Sequence, residues 1–252
     1  MTPVTDLVIM HNPEQEYKIA WLIPFFYTLL GYFIALIILA YPLPILGAEN
    51  FTEDFWYTFV FKISGFLLLP IVLLAKSGYR IGDIFYKFQI NTRTALTLIL
   101  AFMVGFSVNM IGRKGREIFI VLHQTNLSKA IVLLILAVLL AYLAAGIPEE
   151  LIFRWFVMSR LESKHHWVIA LFLSSLFFTM WHLPTRLLLA HGAEGEAGDF
   201  YSVLMNTGLP VFLTSCILGL FWKYKRSLPH LMIAHGAIDI IPIYASLLGI
   251  HI

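Results

Sequence analysis

Long stretches of apolar sequence constrain the fold of this chain more than any other feature. The run from Ile19 to Ala48 contains no charged residue. A helix needs about 20 mostly apolar residues to cross the hydrocarbon core of a bilayer. Only 13% of the 252 residues are charged, whereas an ordinary soluble domain carries about 25%. The sequence therefore predicts an integral membrane protein.

Seven segments of this kind follow one another along the chain. They are residues 19–48, 55–75, 94–112, 130–148, 167–185, 200–222 and 227–252. The second contains Lys62, which we expect to extend its aliphatic stem and place its ammonium at the membrane surface. A further interfacial or re-entrant helix fits near 113–129. The predicted fold is all-α, a polytopic transmembrane bundle of about seven to eight membrane helices in a single domain, 1–252.

Lysine and arginine in the short loops predict the orientation. Basic connections lie at 76–93, 154–164 and 223–226, which fall on one side of the membrane if the N-terminus is cytoplasmic. The acidic connections at 49–54 and 194–199 then fall on the other side, and the basic residues at 113–129 disagree with this arrangement. We expect a multi-pass protein of the cell membrane with a cytoplasmic N-terminus.

Several classes of function are disfavoured by composition. The net charge of +2 provides no electrostatic footprint for nucleic acid. The single cysteine, Cys216, cannot form a disulfide within one chain and reads as a small buried apolar residue. The chain also lacks a Gly-rich phosphate loop, an evident serine nucleophile motif and the zinc-helix motif H-E-x-x-H.

Three motifs place ionisable groups at membrane depth, and the first contains Glu149, Glu150 and Arg154. Inserting such a group costs about 2.5–3.5 kcal/mol, so each one requires an explanation. Gly146 and Pro148 are expected to interrupt the fourth apolar helix, and Glu149 and Glu150 then fall in the first turn of a new helix, where its dipole favours negative charge. Glu150 and Arg154 are four residues apart and can pair, whereas Glu149 points elsewhere. A structural salt-bridge network is the alternative interpretation.

The other two motifs contain histidines. Phe178 and His182 lie near the end of the fifth span, where a packing role for the histidine is the simpler interpretation. His235 and Asp239 are four residues apart on one helical face of the last span, where they could form a hydrogen-bonded pair or present two metal ligands. An aspartate at that depth is difficult to explain by packing.

Carboxylates and histidines in a water-poor site are suited to activating water for attack on a carbonyl compound, most plausibly a peptide bond. Two other hypotheses stay open on the residues alone. One is a membrane immunity or scaffold protein that binds a peptide and cleaves nothing. The other is a proton-coupled transporter, although such proteins often have two related halves and here the charges cluster in one half.

The ordered set E-E-x-x-x-R, F-x-x-x-H and H-x-x-x-D resembles the CPBP intramembrane proteases, also called the Abi or CAAX-protease family. The resemblance covers residues 146–252 as the catalytic half, and 1–145 are generic membrane spans. It implies that Glu149 activates water, that His182 assists, and that His235 and Asp239 support the oxyanion or complete the water site in an intramembrane cavity. The residues with supporting roles are then Glu150, Arg154 and Phe178.

The same resemblance bears on the substrate and the cofactor. The eukaryotic CAAX prenyl proteases typically have asparagine where this chain has Asp239, which favours the broad prokaryotic branch. We expect a peptide or membrane-protein substrate in the lipid bilayer. Zinc could bind to Glu149, His182 and His235, but a metal-free glutamate mechanism is favoured and no obligatory cofactor is expected.

Overall fold

The structure is a computed structural model that describes residues 11–40, 57–85, 91–110, 120, 125–190 and 194–248. All regular elements in these ranges are helical. We number them α1 to α8. In chain order they are α1, Pro13–Ala40; α2, Tyr57–Leu68 continued by Leu69–Lys76; α3, Ile81–Ile84; α4, Thr92–Met110; α5, Leu127–Glu162; α6, Trp167–Leu189; α7, Phe200–Lys225; and α8, Leu228–Leu247.

Five of these helices, α1, α5, α6, α7 and α8, are long and apolar enough to cross a membrane. Within α4, residues Thr92–Ser107 form a shorter apolar helix. The predicted all-α membrane bundle is confirmed. The expected interfacial segment near 113–129 lies mostly outside the described residues, as do the ends of the first and last predicted spans.

Helix α5 corrects the predicted interruption at Gly146 and Pro148. The chain stays helical through both residues, because the turns at Ala141–Gly146 and Leu151–Met158 are π-helical and flank the short α-helical stretch Ile147–Glu150. Proline removes one backbone hydrogen bond, and wider turns are a common way for a helix to accommodate such a defect. Glu149 and Glu150 therefore lie well inside a 36-residue helix, and the expected effect of a helix-start dipole does not apply to them.

Gly146 has a packing role in place of a helix-breaking one. A Cβ atom on this residue would lie 2.6 Å from the carbonyl oxygen of Met232 and 2.8 Å from the backbone nitrogen of Gly236. Gly105 on α4 approaches the carbonyl oxygen of Ala234 in the same way. Small residues allow membrane helices to pack backbone to backbone, so α8 is held closely between α4 and α5.

A buried polar clamp joins α1 and α5 at one end of the bundle. The Arg160 guanidinium contacts Glu16 Oε2 at 2.9 Å and donates from Nη2 to the Tyr79 hydroxyl at 3.0 Å. Tyr79 in turn donates to Glu16 Oε1 at 2.6 Å. Since Tyr79 follows α2, these contacts gather the start of α1, the end of α2 and the end of α5 on the same side.

The same end also contains the α7–α8 connection. Arg226 ends α7 in the left-handed conformation, with φ 48°, and its guanidinium lies 2.6 Å from Glu162 at the end of α5. At the opposite end, Arg186 of α6 pairs with Glu194 at 2.7 Å. The connections that follow α2, α5 and α7 therefore share one side of the bundle. Two of the basic residues predicted for a connection at 154–164 are not in one, because Arg154 and Arg160 are buried inside α5. The orientation of the bundle in the membrane stays a prediction.

Candidate active site

Helix α5 contributes the first part of the site. The Arg154 Nε atom lies 3.5 Å from Glu150 Oε2, one helical turn away, and both side chains are buried. Arg154 also donates from Nη2 to Ser215 Oγ at 3.1 Å, which connects α5 to α7. Its guanidinium carbon lies 4.9 Å from the centroid of the Phe178 ring. The arginine is therefore held from three sides, by α5, α6 and α7.

His235 on α8 contacts three carboxylates. Its Nδ1 donates to Glu150 Oε1 at 2.6 Å. Its Nε2 lies 3.6 Å from Glu149 Oε2 and 3.5 Å from Asp239 Oδ2. Motifs that are 85 residues apart in sequence thus come together through one imidazole, and the close packing of α8 against Gly146 makes this approach sterically feasible.

Lys62 is the member of this site that sequence reasoning missed. It does not extend to the membrane surface as expected, because its Nζ lies 2.8 Å from Glu149 Oε1. The Glu149 side chain is only 1% exposed, and that of Lys62 is 14% exposed. Without this partner, the buried Glu149 carboxylate would be left as an uncompensated charge, which is strongly destabilising. We call Lys62, Glu149, Glu150, Arg154, His235 and Asp239 the acid–histidine cluster.

His182 and Phe178 lie beside the acid–histidine cluster on α6. The Nδ1 atom of His182 donates to the Phe178 carbonyl at 2.8 Å, which leaves Nε2 as the acceptor in the neutral ring. The Phe178 ring lies 4.7 Å from the imidazole of His182 and 5.9 Å from that of His235, between centroids. His182 also interacts electrostatically with Glu149. Phe178 therefore packs between the two histidines.

Exposure differs across the acid–histidine cluster. The Asp239 side chain is 29% exposed, in contrast to the almost completely buried Glu149 and Glu150. His182 is partly buried. Asp239, Lys62 and His182 are therefore the more exposed residues in and beside the cluster.

The donor set does not fit a metal ion well. Among the residues that the structure describes, no three histidine, cysteine, aspartate or glutamate side chains are arranged to hold one. Of the three suggested zinc ligands, Glu149 already has Lys62 on one oxygen. The bond from His235 Nδ1 to Glu150 leaves Nε2 available, as in metal-bound histidines, and does not itself argue against a metal. A lysine ammonium against a carboxylate would also compete with a cation for the same oxygen. No reaction step is assigned to a metal here.

These observations define a polytopic membrane protein with a buried acid–histidine cluster shared between its helices. Residues 131–241 match the model of a family described as Rce1-like, type II CAAX prenyl endopeptidase Rce1-like. This segment contains all three motifs, and the match supports membership of the CAAX-protease (CPBP) family. It is a membrane protease, a hydrolase. No curated protein and no solved structure matches the chain.

Proposed function

We propose that this CAAX-protease-like intramembrane endopeptidase cleaves a peptide bond with water activated by Glu149. The observation that carries the proposal is the contact of Glu149 with His235 and Lys62, in reach of Asp239, among membrane helices. A general base in a catalytic site contributes about 10²–10⁴-fold to the rate. We assign that role to Glu149 because the family resemblance does so and because Glu149 neighbours the partly exposed Lys62, whereas Glu150 neighbours the fully buried Arg154.

The two oxygens of Glu149 have different neighbours. Oε1 accepts from Lys62, whereas Oε2 lies 3.6 Å from His235, beyond a direct hydrogen bond. Oε2 is therefore the atom that takes a proton from water while the water oxygen bonds to the scissile carbonyl carbon. When the carbon–nitrogen bond then breaks, the same proton passes to the leaving nitrogen. One water molecule is consumed and Glu149 returns to its starting state.

His235 and His182 have separate roles in this scheme. With carboxylates at 2.6, 3.5 and 3.6 Å, a protonated His235 would present its Nε2–H to the oxyanion, where preorganised donors are most effective. Asp239 orients that imidazole and contacts the water. The Nε2 atom of His182 is left as an acceptor and assists in holding the water. Glu150, Arg154 and Phe178 keep these groups in place.

The substrate class is a peptide or a membrane protein that reaches the site from the bilayer. The family description refers to prenylated CAAX proteins. Asp239 stands where the eukaryotic enzymes of the resemblance typically have asparagine, so a prenyl group is not proposed as a requirement for this chain.

The proposal can be tested without knowing the substrate. Cell membranes that contain the wild type, Glu149→Gln or Glu14→Gln are incubated, and new peptide N-termini are labelled and identified by mass spectrometry. Glu14 is exposed and pairs with Lys18 one turn away, so Glu14→Gln is the matched control. We expect the same new termini with the wild type and the control, and none of them with Glu149→Gln at equal abundance. The proposal fails if wild-type and Glu149→Gln membranes yield the same termini.

A further inference from the structure

The N-terminal half of the chain supplies one residue to the acid–histidine cluster. We propose that Lys62 is a positioning residue for Glu149, so that the proteolytic site depends on α2 as well as on the three family motifs. This inference rests on the proposed function of Glu149. Lys62 lies outside residues 131–241, which match the family model. The motifs alone therefore would not identify it.

The backbone of α2 around Lys62 is fixed by its neighbours. Phe66, one turn after Lys62, stacks on Trp181 with a centroid distance of 4.2 Å and an interplanar angle of 18°. The Tyr27 hydroxyl donates to the Gly65 carbonyl at 3.0 Å, which ties the same turn to α1. Phe66 also lies 6.3 Å from Phe153 of α5, between ring centroids. Within the same π-helical stretch, Tyr57–Leu68, Lys62 contacts Trp181 and Glu149 and so faces the same two helices, α5 and α6.

The ammonium of Lys62 lies beside Trp181 and Glu149. Its Nζ lies 5.5 Å from the centroid of the Trp181 ring, within the range of a cation–π contact, and Trp181 immediately precedes His182. The ammonium also forms the 2.8 Å ion pair with Glu149 Oε1. This arrangement holds one oxygen of Glu149 and orients the other toward His235.

The charges within the acid–histidine cluster are also balanced better when Lys62 is included. Three carboxylates, Glu149, Glu150 and Asp239, face Arg154 and His235, which provide at most two positive charges. Lys62 brings the cluster to neutrality when His235 is protonated, since three positive then balance three negative groups. In a membrane interior an unbalanced charge is costly, and breaking a buried pair leaves the remaining charge without compensation.

The role of Lys62 can be separated from a merely structural one by kinetics. The substrate is a quenched fluorescent peptide that spans a cleavage site identified with wild-type membranes, and the enzyme is the full chain in lipid nanodiscs. We expect Lys62→Met and Lys62→Gln to lower kcat about 100-fold or more, with KM within about threefold of the wild type, as for loss of an oriented general base. Lys62→Arg keeps the charge and should recover at least a tenth of the wild-type kcat.

Lys18→Met is the matched control, because Lys18 is an exposed lysine that pairs with Glu14, and it should leave kcat unchanged. The inference is overturned if both uncharged variants keep kcat within threefold of the wild type. It is also overturned if both lose their folded state in thermal unfolding, which would make Lys62 a structural residue. A different result would show that the proposed function itself is wrong: Glu149→Gln would then keep full activity.

Discussion

Glu150 Oε1 and His235 Nδ1 lie 2.6 Å apart, and this hydrogen bond joins α5 to α8 inside the bundle. The other oxygen of Glu150 faces Arg154. One fully buried carboxylate thus holds both the imidazole that contacts Glu149 and the arginine that packs against Phe178. Its position is a reason to propose different roles for the two consecutive glutamates.

Glu150→Ala should therefore impair both stability and activity. The change leaves Arg154 and His235 buried without their shared partner, and such a loss typically costs about 3–5 kcal/mol. We expect a markedly lower unfolding temperature in detergent and a large loss of cleavage. Glu150→Gln, which still accepts from His235, should be intermediate. Glu14→Ala, at an exposed site, is the control. An unfolding temperature of Glu150→Ala equal to that of the control would contradict this account.

Gly146→Ala tests the close approach of α8 to α5. The added Cβ would lie 2.6 Å from the Met232 carbonyl oxygen, so one helix must move, at a cost of about 1–3 kcal/mol for overpacking. Because His235 and Asp239 lie on the displaced helix, cleavage should fall together with thermal stability. Gly82→Ala is the control, since nothing lies within 4 Å of its added Cβ. Equal behaviour of the two variants would show that α8 is not held by this contact.

Tyr79→Phe tests the clamp between α1 and α5. It removes a hydrogen bond to the Glu16 carboxylate, and bonds to charged groups contribute about 1.5–3 kcal/mol. Burial, together with the bond to Glu16, raises the pKa of Tyr79 to about 12. A raised pKa means that this stabilisation is complete below the unfolded-state pKa of about 10 and is lost as the pH rises toward 12.

Thermal unfolding of the wild type and Tyr79→Phe between pH 7 and pH 12 provides the measurement. The stability difference between the two proteins should be constant up to about pH 10 and should shrink above it. A difference that is absent at neutral pH, or that grows in alkali, would rule out the hydroxyl as the donor in the clamp.

The orientation of the bundle is a prediction that labelling can test. Tyr17 and His165 are joined by a 2.8 Å hydrogen bond, so the start of α1 and the α5–α6 connection lie on the same side, which we expect to be cytoplasmic. In a Cys216→Ser background, a cysteine at Ser163 should react with an impermeant maleimide only after the cells are opened. A cysteine at the exposed Glu196 should react in intact cells. The reverse pattern would place the N-terminus outside.

Sequence reasoning succeeds where the bilayer imposes a simple rule. Span length follows from membrane thickness, so the helices can be located from uncharged runs such as 167–185. The spacing of Glu150 and Arg154 likewise predicts their shared face. Neither rule extends to Lys62, because its partner depends on how α2 packs against α5, a contact between residues 87 apart. The sequence signal that could have identified Lys62 as a site residue is that it is the one charged residue in the predicted span 55–75.

For Pro148, sequence reasoning predicted a helix break that the structure does not have. Proline and glycine are read as breaks because of their local backbone preferences, whereas π-helical turns absorb the lost hydrogen bond and Gly146 is required by a neighbouring helix. Local preference was outweighed by tertiary packing, which single-sequence patterns do not contain. The same limit applies to Arg160 and Glu16, 144 residues apart, whose buried pairing has no local sequence signal.

The most direct test of the account is the turnover number of Glu149→Gln with the peptide that spans an identified cleavage site. The variant keeps the size of the side chain and removes only its ability to take a proton. With folding verified by thermal unfolding, we predict a kcat at least about 100-fold below that of the wild type, the lower end of the contribution of a general base. A kcat within tenfold of the wild type would contradict the central claim that Glu149 activates the attacking water.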